Sequence, residues 1–349
     1  MSAPTFVKPE RLRPGDTVAT VSLSSGLLGD FPHVYACAKR NLQRLGVTVT
    51  EAPNAARDEA WLYRHPEARA DDLHWALSEP EVRGIISAIG GYESVRILPY
   101  LDRKALRQHP KIFLGFSDTT VQHTAFLNAG VVSFHGPSML AGIATLSAYP
   151  YALESLHHTL FTGTAPLELT SAPGWTNGFL DWNDPDFAAK ADTPLPLEPS
   201  QGLVWLQGEA RAEGHLIGGN VEVLEMLKGT PWWPEAALWR GAIVYLETSE
   251  EVPPVSNVEY WLRNYASQGI LQGLAGLLLA RPYGYDEAGQ TALHRAVRKV
   301  LLECGREDLP VVTNLDFGHT TPTLCLPNGC RAAIDPVQRR VEVLEAGVR

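Results

Sequence analysis

One serine in the first half of the chain lies where a hydrolase would place its nucleophile. Ser117 follows the apolar run Ile112–Leu114 and a glycine, and a helical pattern with Val121 and Ala125 comes after it. A strand, a sharp turn and a helix in this order lift a serine hydroxyl out of the carboxyl edge of a parallel sheet. The full Gly-x-Ser-x-Gly pattern is absent, since position 119 is threonine. Serine also caps helices, so the pattern alone leaves nucleophile and helix cap as equal interpretations.

A glycine corner earlier in the chain fits the same chemistry. The apolar run Ile85–Ile89 leads directly into Gly90 and Gly91. Glycine at the end of a strand lets a backbone N–H group approach a developing oxyanion closely. The N–H groups at the start of the helix after Ser117 offer the same kind of stabilisation. From spacing alone, an ordinary tight turn is the simpler interpretation of the two glycines.

A general base must come from elsewhere in the sequence, which contains eleven histidines. His319 lies in a polar, glycine-bearing segment just after the apolar run Val311–Thr313. His135 and His215 have similar loop contexts. We therefore place His319 only slightly ahead of these two as the candidate base.

A candidate orienting acid ends another strand. Glu247 follows the apolar run Ala242–Leu246, where a carboxylate is costly to bury without a partner. Glu250 and Glu251 lie further into the loop, and we expect solvent around both. In a Ser–His–Glu set the histidine takes the serine proton, while the acid fixes the histidine tautomer and stabilises the imidazolium.

The elements that would position these residues alternate between strand and helix over the first ~160 residues, which predicts a parallel α/β layer. Helices are predicted over 34–45 and 66–77. Five strands are predicted at Val18–Ser22, Val47–Thr50, Ile85–Ile89, Ile112–Leu114 and Val131–Phe134. Strands and helices resume after Gly202, with helices over 256–268 and 290–303. The later strands are predicted at Ala242–Leu246, Gly276–Ala280, Val311–Thr313, Thr323–Leu326, Cys330–Ile334 and Val341–Leu344.

Between these two parts, the segment Ala165–Ser200 is rich in proline and contains Trp175 and Trp182. Proline removes backbone donors, so we predict neither regular helix nor sheet here. The tryptophans favour an ordered, functional loop over a solvated linker. The predicted organisation is an N-terminal domain over 1–164, a connecting loop over 165–200 and a C-terminal domain over 201–349.

Composition limits the function further. The 349 residues are 45% hydrophobic and 19% charged, which suggests two domains of ordinary size. A net charge of −10 argues against polymeric nucleic acid as a ligand, although it leaves room for one nucleotide in a pocket. No apolar run is long enough for a membrane span and no signal-peptide pattern begins the sequence, so we expect no membrane association and a cytoplasmic location.

The cysteines argue against a metal site. None of the four forms a Cys-x-x-Cys pair, which makes a zinc site of that type improbable. Cys325 and Cys330 flank Leu326–Gly329, which reads as a turn, so the two could face each other across a hairpin. In a reducing compartment we expect them to be ordinary buried strand residues.

Taken together and in this order, the motifs resemble the LD-carboxypeptidase family of serine peptidases over nearly the whole chain. The resemblance implies a flavodoxin-like parallel sheet in the N-terminal domain, a C-terminal α/β domain of the swivelling β/β/α type, and an active site between them. It assigns Ser117 as nucleophile, Glu247 as triad acid and His319 as base, with the backbone N–H groups of Gly91 and Asp118 as the oxyanion hole. It also implies a homodimer that needs neither metal nor cofactor. The matching motifs are Leu12–Val18, Gly90–Tyr92, Gly115–Asp118, Gly214–Asn220, Leu246–Glu247 and Gly318–Thr320.

The family has two branches with different small substrates. LD-carboxypeptidases proper remove the terminal D-alanine from murein tetrapeptides. Microcin-immunity-like members cleave the amide between an aminoacyl group and a nucleotide-like moiety, and an aromatic residue on an extra loop stacks on the base. The segments 165–200, with Trp175 and Trp182, and Ile217–Gly229 resemble that loop, so we favour the second branch.

Other interpretations remain open from the sequence. The two tryptophans could instead anchor the loop core or a dimer. Enzymes resembling glutamine amidotransferases or α/β-hydrolases have the same kind of turn. The first normally use cysteine as the nucleophile, and the second normally have the full Gly-x-Ser-x-Gly pattern. A non-enzymatic two-domain protein that binds a small molecule in its cleft is the remaining alternative.

Overall fold

The computed structural model describes residues 4–349 and contains two large sheets with helices packed against them. The strands of these sheets, with one small two-stranded ribbon, are β1 (Thr17–Val21), β2 (Thr48–Glu51), β3 (Val82–Ser87), β4 (Ile112–Gly115), β5 (Ser133–His135), β6 (Leu167–Glu168), β7 (Gly174–Trp175), β8 (Glu198–Pro199), β9 (Val204–Gln207), β10 (Ala212–Asn220), β11 (Ile243–Glu247), β12 (Gly276–Ala280), β13 (Val311–Leu315), β14 (Leu326–Asn328), β15 (Arg331–Asp335) and β16 (Arg340–Val343).

The helices connect the parallel strands and cover the sheet faces. They are α1 (Pro32–Arg44), α2 (Glu59–Arg64), α3 (Pro66–Ser78), α4 (Arg103–Gln108), α5 (Thr120–Asn128), α6 (Pro150–His157), α7 (Phe187–Lys190), α8 (Val221–Leu227), α9 (Ala236–Trp239), α10 (Val255–Ser267), α11 (Ile270–Gly273) and α12 (Glu287–Glu303). Within residues 4–349, none of these helices has the length and apolar character needed to cross a bilayer.

The first sheet has the strand order that the flavodoxin-like prediction requires. Its five N-terminal strands are parallel and lie in the order β2-β1-β3-β4-β5. In a sheet of this order, ligands bind outside the carboxyl ends of the strands, near the point where the order reverses. The segments that follow β3 and β4 carry Gly90 and Ser117. The sheet therefore brings both sequence motifs to one edge.

The second sheet is mixed. Strands β10, β11, β12 and β13 are parallel, and antiparallel strands flank them on both sides. Glu247 is the last residue of β11, and His319 follows the end of β13. Strands β11 and β13 are parallel and lie on either side of β12, so their carboxyl ends place the candidate acid and the candidate base at one edge of this sheet as well.

One predicted turn is wrong. Leu326–Asn328 is not a hairpin turn but strand β14, which pairs antiparallel with β5 of the first sheet. Pro327 is tolerated because β14 is an edge strand, where a missing N–H group breaks no ladder. The chain turns at Gly329 instead, which has a φ of 97°. Cys325 and Cys330 consequently lie at the two ends of β14 and are both free and buried.

The proline-rich segment 165–200 is largely irregular, as predicted. It contains only the two-residue strands β6, β7 and β8 and the single-turn helix α7. A bridge between Thr176 and Thr321 ties it to the segment that follows His319. By contrast, residues 217–229 form the end of β10 and helix α8, so their likeness to an inserted loop was wrong.

Candidate active site

Ser117 occupies a strained turn between β4 and α5. All four residues of β4 are buried, and a short 3₁₀ turn over Ser117–Thr119 leads into α5. Ser117 has a φ of 61°, in the left-handed region that non-glycine residues rarely adopt. Strain of this kind persists where the surrounding structure enforces it, and it is typical of a nucleophile elbow. The Ser117 hydroxyl contacts His319 and does not cap the helix, which favours the nucleophile interpretation over the helix-cap interpretation.

The structure brings Ser117, His319 and Glu247 into one chain of contacts. Nε2 of His319 lies 3.1 Å from Oγ of Ser117, and Nδ1 lies 2.5 Å from Oε2 of Glu247. Both Glu247 and His319 are almost completely buried. This is the geometry in which a carboxylate orients an imidazole toward a hydroxyl.

The other two candidate histidines have different environments. His135 ends β5 and is fully buried, and desolvation lowers its pKa well below the ordinary value. Its Nε2 lies 3.9 Å from Oε1 of Glu247, whereas His319 contacts the other oxygen, Oε2. His215 meets the carbonyl of Gly329 at 2.8 Å and packs edge-on against Phe6. Of the three, His319 is the one that the structure places on Ser117.

Glu250 was expected in solvent but contacts the candidate base. Its Oε2 lies 2.9 Å from Nε2 of His319, the same nitrogen that faces Ser117, while about half of its side chain remains exposed. The neighbouring Glu251 accepts a hydrogen bond of 2.6 Å from the hydroxyl of Tyr92. Sequence reasoning had one signal for this contact, since Glu250 shares a loop with Glu247. It gave no indication of which way the side chain turns.

Two carboxylates therefore decide the charge of His319. Burial by itself lowers the pKa of this histidine, but the charges and hydrogen bonds of Glu247 and Glu250 outweigh burial and raise the pKa to about 10. The imidazole is thus protonated at neutral pH, and both of its N–H groups donate to carboxylates. In this arrangement Nε2 holds a proton and cannot accept another from Ser117. Withdrawal of Glu250 would remove one of the two stabilising charges.

The glycine corner after β3 lies against the serine turn. A Cβ atom at Gly90 would come within 2.9 Å of the Ser117 Cβ and 3.4 Å of the Asp118 nitrogen. Gly91 has a φ of 134°, and a Cβ there would meet Oγ of Ser25 at 2.1 Å. Only glycine fits at these two positions. The structure thereby brings Gly91 and Asp118, the predicted oxyanion residues, to the corner that holds Ser117.

The side chain of Asp118 fixes this corner. It is fully buried and accepts hydrogen bonds from Oγ of Ser24 at 2.5 Å and from the backbone N–H of Ser94 at 2.8 Å. Ser24 and Ser94 follow strands β1 and β3, so one carboxyl group links three strand ends. Desolvation raises the pKa of Asp118.

A cavity of about 380 Å³ opens from Ser117 and His319. Its walls are mainly aromatic and aliphatic, and segment 165–200 supplies part of them. Trp182 is one of these wall residues and packs edge-on against Phe31, with 5.3 Å between ring centroids. The aromatic side chains that line the cavity are Tyr92, Phe116, Tyr149, Phe179, Trp182, Phe187 and Tyr283.

Trp175 does not share this cavity. It lies beside a separate space of about 450 Å³, where the guanidinium of Arg281 sits 4.6 Å from the centre of its ring. Arg281 in turn forms a buried ion pair with Asp316 at 3.1 Å. Both tryptophans were predicted to line the substrate site. Of the two, Trp182 lines the cavity at Ser117, whereas Trp175 lines the separate space beside Arg281.

Within residues 4–349, no group of three or more His, Cys, Asp or Glu side chains is arranged to hold a metal ion. The cysteines offer no alternative nucleophile at the cavity. Burial raises the pKa of the Cys330 thiol to about 12 and also raises that of Cys325. Both thiols are therefore protonated at neutral pH.

At the carboxyl edges of the two sheets, a strained serine, a histidine and a buried carboxylate lie in contact, an arrangement typical of serine hydrolases. Residues 18–136 match the N-terminal domain of LD-carboxypeptidases, and residues 213–334 match their C-terminal domain. The chain belongs to the LD-carboxypeptidase family and is a serine peptidase.

Relatives of known name cover almost the full length of the chain. The murein tetrapeptide carboxypeptidase of Pseudomonas aeruginosa is 29% identical over 91% of this chain and 92% of its own. The microcin C7 self-immunity protein MccF of Escherichia coli is 25% identical over 95% of this chain and 94% of its own. A solved MccF-like protein from Streptococcus pneumoniae, in complex with AMP, superposes with a TM-score of 0.83 at 31% identity, covering 95% of this chain and 99% of that one. Both branches considered from the sequence are thus represented.

Proposed function

We propose that this protein hydrolyses the amide bond between an aminoacyl group and a nucleotide-like group. Ser117 acts as nucleophile, His319 as general base and Glu247 as the acid that orients it. The observation that carries the proposal is the continuous contact from Glu247 through His319 to Ser117, at the mouth of an aromatic-lined cavity.

The reaction begins from the form of His319 in which Nε2 carries no proton. Oγ of Ser117 attacks the scissile carbonyl carbon, and its proton passes to Nε2 of His319. The carbonyl oxygen becomes negatively charged, and the backbone N–H groups of Gly91 and Asp118 are proposed to stabilise it. His319 then donates the proton to the leaving nitrogen, and the C–N bond breaks to leave an acyl group on Ser117. Water, deprotonated by His319, releases the acid and restores the serine. Glu247 stabilises the imidazolium at both stages.

The aromatic lining supports a nucleotide-like leaving group. Phe179 is 65% exposed while it lines the cavity, which is an unfavourable state for an apolar ring without a partner. Trp182 is held in place by Phe31 and offers a fixed ring on the same wall. Stacking of a base on an aromatic side chain contributes about 1–3 kcal/mol. The AMP complex of the Streptococcus pneumoniae protein also favours a nucleotide in this fold.

The substrate on this proposal is a small molecule or short peptide, in keeping with the net charge of −10. We propose further that the protein acts in the cytoplasm as a homodimer, as the family resemblance implies. Neither metal nor cofactor takes part in the proposed mechanism.

A murein tetrapeptide carboxypeptidase is the second candidate, and it is favoured by the full-length similarity to the Pseudomonas aeruginosa enzyme. A substrate panel separates the two. Purified protein is given murein tetrapeptide, aspartyl sulfamoyl-adenosine or glutamyl sulfamoyl-adenosine, and the products are quantified by mass spectrometry. We expect the sulfamoyl-adenosine compounds to be cleaved with the higher kcat/KM.

Ser117→Ala should abolish cleavage of every substrate in the panel. The control is Ser78→Ala, since the Ser78 hydroxyl lies on the surface and contacts only the carbonyl of Trp75. Preference for the tetrapeptide would transfer the proposal to the second candidate. Cleavage that persists in Ser117→Ala would overturn the assignment of the nucleophile.

A further inference from the structure

Among the described residues 4–349, Glu250 is the one carboxylate on the wall of the cavity. Of the residues that line it, all of which lie within the described range 4–349, none is lysine or arginine. Glu250 is also half exposed, so a ligand in the cavity can reach it. Glu250 is therefore the acidic group that a substrate meets, and the protonated His319 beside it directs its N–H groups to Glu247 and Glu250.

The position of Glu250 relative to the reacting atoms is equally specific. Its Oε2 lies 2.9 Å from Nε2 of His319, and that nitrogen lies 3.1 Å from Oγ of Ser117. Oε2 of Glu250 and Oγ of Ser117 therefore both contact the same nitrogen of His319. A substrate carbonyl group that contacts Ser117 consequently lies close to the Glu250 carboxylate. In an aminoacyl group the α-nitrogen lies about 2.5 Å from the carbonyl carbon, because two bonds of about 1.5 Å separate them. The free amine of such a substrate would come close to Glu250.

We propose that Glu250 forms a binding subsite for the free α-ammonium group of an aminoacyl substrate. The inference rests on the function proposed above and names its substrate class, which is aminoacyl compounds with an unmodified amine next to the scissile amide. An ammonium ion makes strong, charge-assisted hydrogen bonds to a carboxylate. A free carboxylate at the same place, such as that of a terminal D-alanine, would meet the like charge of Glu250, while both N–H groups of the protonated His319 are already directed to Glu247 and Glu250.

The same contact links substrate binding to the state of the base. In the ligand-free protein Glu250 accepts from Nε2 of His319 and helps to keep the imidazole protonated. An ammonium group that takes this carboxylate leaves Glu247 as the only anionic partner of the ring. The tendency of Nε2 to hold its proton falls, so the nitrogen becomes able to accept the proton of Ser117.

The loop that carries Glu250 is strained where it turns away. Val252 has a φ of 49°, and a β-branched residue is rarely found in this region. Tyr92 holds the loop from across the cavity mouth through its bond to Glu251. Glu250 therefore lies between two fixed points, the end of β11 and the Tyr92–Glu251 contact, while its own side chain has a ligand-dependent choice of partner.

The test compares two substrates that differ only at the amine. Alanyl sulfamoyl-adenosine and its N-acetyl derivative are each given to the wild-type protein, to Glu250→Gln and to the control Glu303→Gln, and kcat and KM are measured. The Glu303 side chain lies on helix α12 and forms an exposed ion pair with Arg263. We expect the wild type to prefer the free amine by about 10- to 100-fold in kcat/KM, as suits a hydrogen bond between charged groups. Glu250→Gln should bring that ratio close to one, chiefly through a higher KM for the free amine. Glu303→Gln should keep the wild-type ratio within about threefold, because an exposed ion pair contributes little.

The outcomes separate failure of the subsite from failure of the proposed function. If wild-type protein cleaves neither compound, the proposed function falls. If it cleaves both in a Ser117-dependent manner but without preference, or if Glu250→Gln retains the preference, the subsite alone is overturned. Thermal unfolding of each variant is measured alongside, and the within-variant ratio of the two substrates removes any general loss of folded protein.

Discussion

Gly318 and Glu247 lie so close together that no side chain fits between them. A Cβ atom at Gly318 would come within 2.3 Å of Oε2 of Glu247, the oxygen that contacts His319. Gly318 also has a φ of 94°, which side-chain-bearing residues rarely adopt. The glycine next to the candidate base is thus a condition for the carboxylate to reach it.

We expect Gly318→Ala to lower kcat/KM by about 100-fold or more, because the methyl group displaces Glu247 from His319. The matched control is Gly15→Ala, where φ is 97° and a Cβ would meet no atom within 4 Å. The control carries the same backbone penalty without the clash. Kinetics and thermal unfolding of both variants decide the matter, and an equal loss of activity in both would contradict the role given to the Glu247 contact.

The residues of the contact chain should act as a unit. Ser117→Ala and His319→Ala should each lower kcat by about 10⁴-fold or more while the protein stays folded, and the double variant should be little worse than either. Glu247→Gln should lose less, because it orients the base and does not react. Losses that multiply in the double variant would show that the two side chains work independently.

The pH dependence of kcat/KM follows from the raised pKa of His319. This parameter reports the free enzyme, in which Ser117, Glu247 and Glu250 contact the ring and burial keeps the nearby His135 neutral. Because the base must be unprotonated, kcat/KM should rise with pH, and the apparent pKa of this rise should be about 10, the pKa of His319. This rise is called the limb of the profile. Glu250→Gln removes one charge that raises the pKa and should move the limb to lower pH. An unchanged limb in that variant would show that the Glu250 contact does not set the charge of the ring.

The same shift has a consequence for stability with a definite sign. The folded-state pKa of His319 lies above the ordinary value of 6.5, so the stabilisation is fully present below about pH 6.5 and is lost as pH rises through about 10. The unfolding free energy of the wild type relative to His319→Asn should therefore decrease over that interval. A difference that stayed constant from pH 6 to pH 10 would contradict the raised pKa.

The two tryptophans of segment 165–200 provide a matched pair. Trp182→Ala should raise KM for a nucleotide-bearing substrate by about 10- to 100-fold, since it removes a stacking surface at the cavity. Hydrolysis of a peptide without a base should change little. Trp175→Ala serves as the control, because its ring packs under Arg281 outside this cavity. Equal losses on both substrates in both variants would assign the tryptophans to the loop core instead.

Activity should also survive prolonged treatment with a chelator and alkylation of thiols. The proposed reaction uses a serine hydroxyl, and three of the four cysteines are buried. Activity is measured before and after each treatment. Inhibition by the chelator that added zinc reverses would contradict the mechanism.

The sequence predicted strands and helices well where hydrophobic periodicity within one segment determines them. Strand β12 has the predicted bounds, and the helix predicted over 256–268 is found as α10, over Val255–Ser267. Ser117, Glu247 and His319 could be proposed because each directly follows an apolar strand, and strand ends in parallel sheets gather at one edge. The choice among His319, His135 and His215 could not be made from spacing, because it depends on which loop crosses the face of Ser117.

The sequence pattern could not predict contacts between distant segments or the directions of side chains. Leu326–Asn328 has the composition of a turn, yet its partner β5 supplies a ladder that makes it a strand. Glu250 resembles a solvated loop residue until His319 is placed beside it. Trp175 and Trp182 lie in similar proline-rich sequence, and only the folded path of the loop shows that they line different cavities. In each case tertiary contacts overrode local preference.

The pairing of β14 with β5 also has a consequence for how the chain is made. During synthesis β5 emerges long before β14, so the outer edge of the first sheet stays uncovered until most of the second sheet has been translated. An uncovered strand edge is prone to pair with other chains. A polypeptide stopped after the first sheet would therefore tend to aggregate, and supplying the missing C-terminal piece in trans would be the natural way to rescue it. The two sheets are expected to unfold together, as one cooperative unit.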